Sequence, residues 1–126
     1  MDLLLDTHVF IWWDCSDSQL GASAAAEISD PANRIFVSAA SVWEIAIKRQ
    51  LGRLTFTGSP SQAITKNGFY SLPILGEHGE AAASLPLIHK DPFDRLLIAQ
   101  SVARNLVLVT SDDFIRQYAA PQLWAR

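Results

Sequence analysis

The apolar strand-like segments of this chain are continuous runs rather than alternating patterns. The clearest are DLLLD (2–6) and LVLVT (106–110), and RIFVS (34–38) has the same character. A strand with successive apolar side chains buries both faces, as parallel strands do when helices cover them on either side. Helix-like segments separate these strands along the chain. The alternation predicts an α/β fold, a three-layer sandwich with a central, mainly parallel sheet flanked by helices.

The remaining segments complete this pattern. Helices are predicted over HVFIWWD (8–14), LGASAAAEIS (20–29), AASVWEIAIKRQ (39–50), SPSQAITKNGF (59–69), GEHGEAAASL (76–85), about 92–104 and, as a short one, SDDFIRQYA (111–119). Two further strands are predicted, YSLPIL (70–75), which Pro73 weakens, and QLWAR (122–126), which we expect at a sheet edge.

Length and composition indicate one folded domain over residues 1–126. Of these residues 49% are apolar and 18% charged, so the chain can bury a core and is not disordered. No apolar run approaches the roughly 20 residues that cross a bilayer. The start, MDLLLDTH, lacks the basic region of a signal peptide, and the single Cys15 cannot form an internal disulfide. We therefore expect a cytoplasmic protein without a membrane partner.

The charge balance restricts any role with nucleic acids. The formal net charge is −3, and Lys and Arg form no runs. Such a chain does not follow a phosphate backbone through a basic surface alone. Binding to nucleic acid would require positive charge from another source, such as bound cations.

Two acids follow the ends of predicted strands. Asp6 comes directly after LLL, and Asp112 comes two residues after LVLVT. Ligands of open α/β sheets bind beyond the carboxyl ends of the strands. Each acid taken alone is equally well explained as a helix cap or turn residue, with Ser111 a rival cap beside Asp112. Their shared position at strand ends makes both candidate site residues.

Glu44 is a third candidate because it interrupts an apolar segment. Residues 39–47 are otherwise Ala, Ser, Val, Trp and Ile. A buried carboxylate is unfavourable unless it is paired. An i, i+4 pair with Lys48 is the alternative, but such a pair stabilises a helix by only a few tenths of a kcal/mol. The pair does not explain an acid in the middle of this stretch, so we predict a functional role.

DPFDR (91–95) places two further acids at the start of a helix. Asp91 suits the N-cap and Pro92 the first helical position. Asp94 falls at the third position, where an acid also complements the helix dipole. Because Asp91 already supplies the cap, Asp94 is free to take part in a site.

The four candidates Asp6, Glu44, Asp94 and Asp112 could converge on one place. Clustered carboxylates repel one another and require a cation, and hard oxygen ligands suit Mg²⁺ or Mn²⁺. Other residues near the same strand and helix ends could support the cluster, namely Thr7, Asp91, Thr110, Ser111 and Asp113.

The order of these motifs resembles the PIN domain and, within it, the VapC-type toxins of bacterial toxin–antitoxin pairs. The resemblance runs from Asp6 to Tyr118 through LLLDTHVFIWW, SVWEIAIK, LGRL, HKDPFDRLLIAQ and LVTSD. DTHVFIWW and DPFDRLLIAQ are its most specific parts. The family pattern has an Asp after the first strand, a Glu in a central helix, an Asp beginning a later helix and an Asp after the next strand. These positions match Asp6, Glu44, Asp94 and Asp112.

The resemblance implies a metal-dependent endoribonuclease that acts as the toxin of a type II pair. The four acids would be its catalytic and metal-binding residues, with one or two Mg²⁺ or Mn²⁺ ions as cofactor. Two divalent ions would more than offset the formal charge of −3. The expected partners are an RNA substrate, with tRNA among the candidates, a cognate antitoxin protein and a second copy in a homodimer. Candidates for the antitoxin surface are Trp12, Trp13, Trp43, Ile47 and LGRL (51–54).

Other functions fit less well or differ only in partner. A receiver domain needs paired acids after its first strand, but here Asp6 stands alone before Thr7. An aspartyl phosphatase needs a second acid two residues after the first, where this chain has His8. A PIN ribonuclease of RNA processing or decay without an antitoxin, and a non-catalytic metal-binding module of the same fold, remain open. Arg95 and Lys48 are among the basic residues that could line the approach of RNA. His89 is interpreted as a loop residue rather than a phosphate contact.

Overall fold

The computed structural model describes residues 1–126, which form five strands and six α-helices. The strands are β1 (Asp2–Leu5), β2 (Arg34–Ser38), β3 (Tyr70–Leu72), β4 (Val107–Thr110) and β5 (Gln122–Trp124). The helices are α1 (Thr7–Asp14), α2 (Ala22–Ser29), α3 (Ala39–Gln50), α4 (Pro60–Lys66), α5 (Gly76–Ser84) and α6 (Pro92–Arg104). No helix has the length and apolar character needed to span a membrane.

The strands form one fully parallel sheet in the order β3-β2-β1-β4-β5. β1 is central, and its Leu3 pairs with Ile35 of β2 on one side and with Val107 of β4 on the other. The chain leaves β1 in one direction across the sheet and later returns to its other side. Asp6, at the end of β1, therefore lies at the point where the strand order reverses, where α/β sheets bind ligands.

Hydrophobic packing covers both faces of the sheet. Leu3, Leu4 and Leu5 are completely buried. Leu3 and Leu5 belong to a core that includes Phe10, whereas Leu4 belongs to a second core with Ile98 of α6. Alternate side chains of one continuous apolar run thus enter opposite cores. The predicted α/β three-layer sandwich is confirmed.

Most predicted elements are observed with ends shifted by a few residues, and the differences at β3, at β4 and after β4 concern the site most. β3 ends at Leu72 rather than at residue 75, because Pro73 has no N–H to donate to a sheet. β4 begins at Val107, one residue later than predicted. The helix predicted over 111–119 is only a 3₁₀ turn, Ile115–Gln117, after which Tyr118 is extended. The predicted last edge strand is confirmed as β5.

Candidate active site

The four predicted acids line one cleft of about 440 Å³ beyond the carboxyl ends of the central strands. Trp12 is the only hydrophobic residue among the side chains that line it. The acids reach this place from four separate elements: the end of β1, the middle of α3, the first turn of α6 and the segment after β4. A largely polar, acid-lined cleft is suited to holding a cation.

Asp6 joins the start of α1 to the end of β4. Its Oδ1 accepts the backbone N–H of Val9 at 2.9 Å and caps α1, while its Oδ2 accepts the Thr110 hydroxyl at 2.6 Å. The side chain is only 5% exposed. Burial raises the pKa of Asp6 above its ordinary value, although the bonds from Thr110 and Val9 act in the opposite direction. Asp6 is thus a helix cap, which was the other explanation of its position in the sequence, and it also lines the cleft.

Glu44 is buried and paired at the same time. It is 3% exposed, its Oε1 lies 2.5 Å from the Thr7 hydroxyl, and its Oε2 lies 2.5 Å from Lys48 Nζ. The Thr7 hydroxyl is also 3.0 Å from the Ser41 hydroxyl. Burial lowers the pKa of Lys48, but its bond to Glu44 and the acids of the cleft outweigh this and raise it. The i, i+4 pair therefore exists, and it holds a buried carboxylate at the edge of the cleft.

Asp91 and Asp94 have the separate tasks that their spacing suggests. Asp91 is the N-cap of α6, since its Oδ1 accepts the backbone N–H of Asp94 at 3.0 Å. The Asp94 carboxylate is directed to the cleft, where its Oδ2 lies 2.7 Å from His89 Nε2. Burial, followed by the charges of Asp91, Asp6 and Glu44, raises the pKa of Asp94 to about 7, although the His89 bond lowers it. Burial and the neighbouring acids therefore both disfavour the ionised form of Asp94.

Asp112 is fixed by the turn that replaces the predicted helix. Its Oδ1 accepts the backbone N–H groups of Phe114 and Ile115 at 2.8 and 3.0 Å. Its own N–H donates to the Thr110 hydroxyl oxygen at 3.0 Å. Thr110, which donates to Asp6, therefore sets the position of two of the four acids.

The other predicted supporting residues divide into two groups. Thr7 and Thr110 are buried and bonded to the acids, and Ser111 and Asp91 line the cleft. Asp113 is exposed and lies outside the cleft.

Comparison with known families identifies the fold. The family model of the PIN domain matches residues 3–121, nearly the whole chain. The chain belongs to the PIN domain family. The resemblance found from the motifs is confirmed.

Similar proteins include a named ribonuclease and a solved toxin–antitoxin complex. Ribonuclease VapC22 of Mycobacterium tuberculosis is 27% identical over 123 residues, which cover 95% of this chain and 94% of the relative. Among solved structures, VapBC2 from Rickettsia felis, bound to a promoter DNA fragment, matches over the full length of both chains with a TM-score of 0.67 and 16% identity. A toxin–antitoxin complex from Klebsiella pneumoniae matches over 96% of this chain and 95% of its own, with a TM-score of 0.66 and 17% identity. These structures share the fold of this PIN domain.

His89 is a site residue that the sequence interpretation missed. Its Nε2 lies 2.7 Å from Asp94 Oδ2 and 3.8 Å from Asp112 Oδ1, and it lines the cleft of the PIN domain. One potential ligand atom from each of these three residues lies within 4.8 Å of the other two. The only signal in the sequence was its place five residues before Asp94.

Arg95 does not line the approach to the cleft, contrary to the sequence interpretation. It is 8% exposed, and its guanidinium donates to backbone carbonyl groups of the last turn of α5 and of the segment between α5 and α6. Arginine suits this place because its donors are spread over a planar fork and it stays charged when buried. Its role is to hold the segment that carries His89.

Proposed function

We propose that residues 1–126 form a single nuclease domain, a metal-dependent endoribonuclease that acts as the toxin of a type II toxin–antitoxin pair. The observation that carries this proposal is the convergence of Asp6, Glu44, Asp94 and Asp112 in one polar cleft. The full-length relationship to a protein named as a ribonuclease supports RNA as the substrate class. The acids alone would repel a phosphate backbone, so the activity depends on bound cations.

The side chains of the cleft fit a divalent metal ion. Asp6, Asp94 and Asp112 offer carboxylate oxygens, and Glu44 completes the set. The raised pKa of Asp94, to about 7, arises partly from Asp91, Asp6 and Glu44, and a cation among these groups would relieve their repulsion. When bound, Mg²⁺ or Mn²⁺ supplies Lewis acidity to a phosphoryl oxygen and a lowered pKa to water.

Neighbouring side chains orient these ligands. The Thr110 hydroxyl donates to Asp6 Oδ2 and accepts the N–H of Asp112, so it fixes the distance between two elements. Thr7 donates to Glu44 and holds one of its oxygens. Lys48 Nζ holds the other and borders the cleft, where its positive charge favours the approach of a phosphate. Such supporting contacts commonly change metal affinity 10–100-fold when removed.

Two observations support an antitoxin partner. One is an apolar groove between α3 and α4. The other is the fold that this chain shares with a VapBC structure and with a toxin–antitoxin complex. The groove of about 370 Å³ is lined by Val42, Trp43 and Ile64 among others. Trp43 and Leu51 are 62% and 60% exposed, an arrangement suited to an amphipathic helix. Trp12, by contrast, is 7% exposed and belongs to the core, so that candidate is wrong.

The test is cleavage of a panel of structured RNAs, including tRNAs, by purified protein without antitoxin. We expect cutting with Mg²⁺ or Mn²⁺ and none with EDTA. Asp6→Asn should abolish cutting without unfolding α1, since asparagine is an equally good N-cap. Asp113→Asn is the matched control, since that acid lies outside the cleft, and it should cut like the wild type.

Two outcomes would overturn parts of the proposal. Equal cutting by the wild type and Asp6→Asn would locate the activity elsewhere. Binding of Mn²⁺ by well-folded protein that cuts no RNA of the panel would indicate a metal-binding module instead. The antitoxin is tested separately, by coexpression with any small reading frame that lies next to the gene. Formation of a stable complex that stops cleavage supports the toxin role, and its failure leaves a PIN ribonuclease without an antitoxin.

A further inference from the structure

His89 occupies an unusual place for a histidine in an acid-lined site. Its Nε2 lies 2.7 Å from Asp94 Oδ2 and 3.8 Å from Asp112 Oδ1, so the ring nitrogen faces two of the four acids. Its side chain is 15% exposed. The other histidine on the cleft wall, His8, is exposed and forms no such contacts with the acids.

The loop around His89 is fixed at several points. The backbone N–H of His89 donates to the Tyr118 hydroxyl at 2.8 Å, and that hydroxyl donates to the Pro86 carbonyl at 2.7 Å. The His89 carbonyl accepts from Arg95 Nη1 at 3.1 Å. The imidazole stacks on Phe114, with ring centres 5.0 Å apart and an interplanar angle of 20°. These contacts hold the ring in one orientation, with Nε2 directed into the cleft.

The distances match those between ligands of one ion. Ligands at right angles on bonds of ~2.1 Å lie about 3 Å apart, and opposite ligands about 4 Å apart. The separations of 2.7 and 3.8 Å fall near these values, and the three ligand atoms all lie within 4.8 Å of one another. The three atoms are therefore close enough to share one coordination shell.

We propose that His89 is a nitrogen ligand of the catalytic metal ion, beside Asp94 and Asp112, and that the centre consequently prefers Mn²⁺ to Mg²⁺. This inference rests on the proposed function, which requires a divalent ion in the cleft. It goes further by assigning a ligand outside the four acids and by selecting the ion.

The selectivity follows from the character of the nitrogen atom. Mg²⁺ is a hard cation that takes oxygen ligands and keeps most of its waters. First-row divalent ions accept imidazole readily, and Mn²⁺ also binds carboxylates and water well. A centre of carboxylates with one imidazole therefore discriminates against Mg²⁺, while a centre of carboxylates alone would accept both ions.

A positioning role is the alternative, in which His89 only donates a hydrogen bond to Asp94. In that role the imidazole would help both ions equally, because it would act through the carboxylate. The ratio of the two affinities therefore separates a ligand from a positioning residue. The nuclear spin of nitrogen provides a second and independent distinction.

The decisive experiment is pulsed electron paramagnetic resonance of Mn²⁺ bound to the wild-type protein. We expect modulation from a directly coordinated ¹⁴N nucleus, which changes to that of ¹⁵N when the histidines are labelled. The signal should disappear in His89→Gln and persist in His8→Gln, a histidine of the same cleft wall. Because the wild-type spectrum is itself informative, the test does not depend on the folding of the variant.

Titration calorimetry of the same proteins gives the selectivity. His89→Gln should weaken Mn²⁺ binding about tenfold or more while changing Mg²⁺ binding much less. An equal loss for both ions, or bound Mn²⁺ without nitrogen coupling, overturns the inference and leaves the proposed nuclease in place. Failure of the wild type to bind any divalent ion overturns the metal dependence of the proposed function and the inference with it.

Discussion

Replacing Asp94 by asparagine should stabilise the metal-free protein while abolishing metal binding. Burial and the charges of Asp91, Asp6 and Glu44 raise the pKa of Asp94 from 3.8 to about 7. Since one pKa unit corresponds to ~1.4 kcal/mol, ionising Asp94 in the folded protein opposes folding by up to ~4 kcal/mol. Water in the cleft and local relaxation reduce this figure. We therefore expect Asp94→Asn to raise the free energy of unfolding of the metal-free protein by about 1–3 kcal/mol at pH 8.

The pH dependence of this gain has a definite sign. Between pH 3.8 and about 7 the folded protein holds the Asp94 proton while the unfolded chain has lost it. The folded state therefore binds more protons, and the stability of the wild type falls as pH rises through this window. Asp94→Asn does not lose stability in this way. The difference in the free energy of unfolding between the variant and the wild type should therefore be near zero at pH 4 and reach its full value above pH 7. Asp6, whose pKa is also raised, adds a decline in the same direction to both proteins.

The assay is thermal unfolding followed by circular dichroism in EDTA from pH 4 to 8. The expected gain corresponds to a rise in Tm of about 5–10 °C at pH 8. Asp113→Asn, which changes an exposed acid outside the cleft, should leave the Tm unchanged. Adding Mn²⁺ should stabilise the wild type and not Asp94→Asn. A variant less stable than the wild type at pH 8, or an advantage that is the same at pH 5 and pH 8, would refute the reasoning.

Three further substitutions test the supporting contacts. Lys48→Met leaves the buried Glu44 without its cation and should lower the free energy of unfolding by about 1–2 kcal/mol in urea titrations; an unchanged midpoint would show that the ion pair is unimportant. Arg95→Lys cannot satisfy the same set of carbonyl groups, so calorimetry should show that the free energy of unfolding falls by about 3 kcal/mol. A decrease below ~0.5 kcal/mol would contradict this. Thr110→Val removes the hydroxyl that orients Asp6 and should weaken Mn²⁺ binding about tenfold. It should also lower the Tm, because an Asp6 oxygen and the Asp112 N–H lose their partner. Unaltered affinity would remove Thr110 from the site.

The layers of the fold could be predicted because local sequence decides them. Continuous apolar runs require burial on two faces, and the run at Leu3–Leu5 is divided between both cores as this rule predicts. Glu44 stood out because a charge in an apolar helix needs a partner. Asp94 could be separated from Asp91 because one cap is sufficient for one helix. In each case the deciding interaction lies within a few residues of the chain.

The errors arose where contacts outside the local sequence pattern decide the structure. His89 belongs to the site because Asp112 and Phe114, more than twenty positions later, lie against it. Arg95 is buried because the segment between α5 and α6 turns its carbonyl groups toward the guanidinium, which no local pattern reveals. The helix predicted over 111–119 begins with Asp112 accepting two backbone N–H groups as an N-cap does, but it ends after one 3₁₀ turn. Tyr118 is then extended, and its hydroxyl bonds the distant Pro86 carbonyl. Charged residues near a helix start are usually exposed, so the prediction for Arg95 followed the common case.

The central claim is that the acid cleft hydrolyses RNA with metal assistance, and the chemical ends of the products test it most directly. Attack by water on phosphorus with departure of the 3′-oxygen leaves a 5′-phosphate and a 3′-hydroxyl. We predict these ends in Mn²⁺, with no products in EDTA or from Asp94→Asn. Products with 2′,3′-cyclic phosphate ends, which form when the RNA's own 2′-hydroxyl attacks, or equal cleavage by Asp94→Asn, would contradict the account.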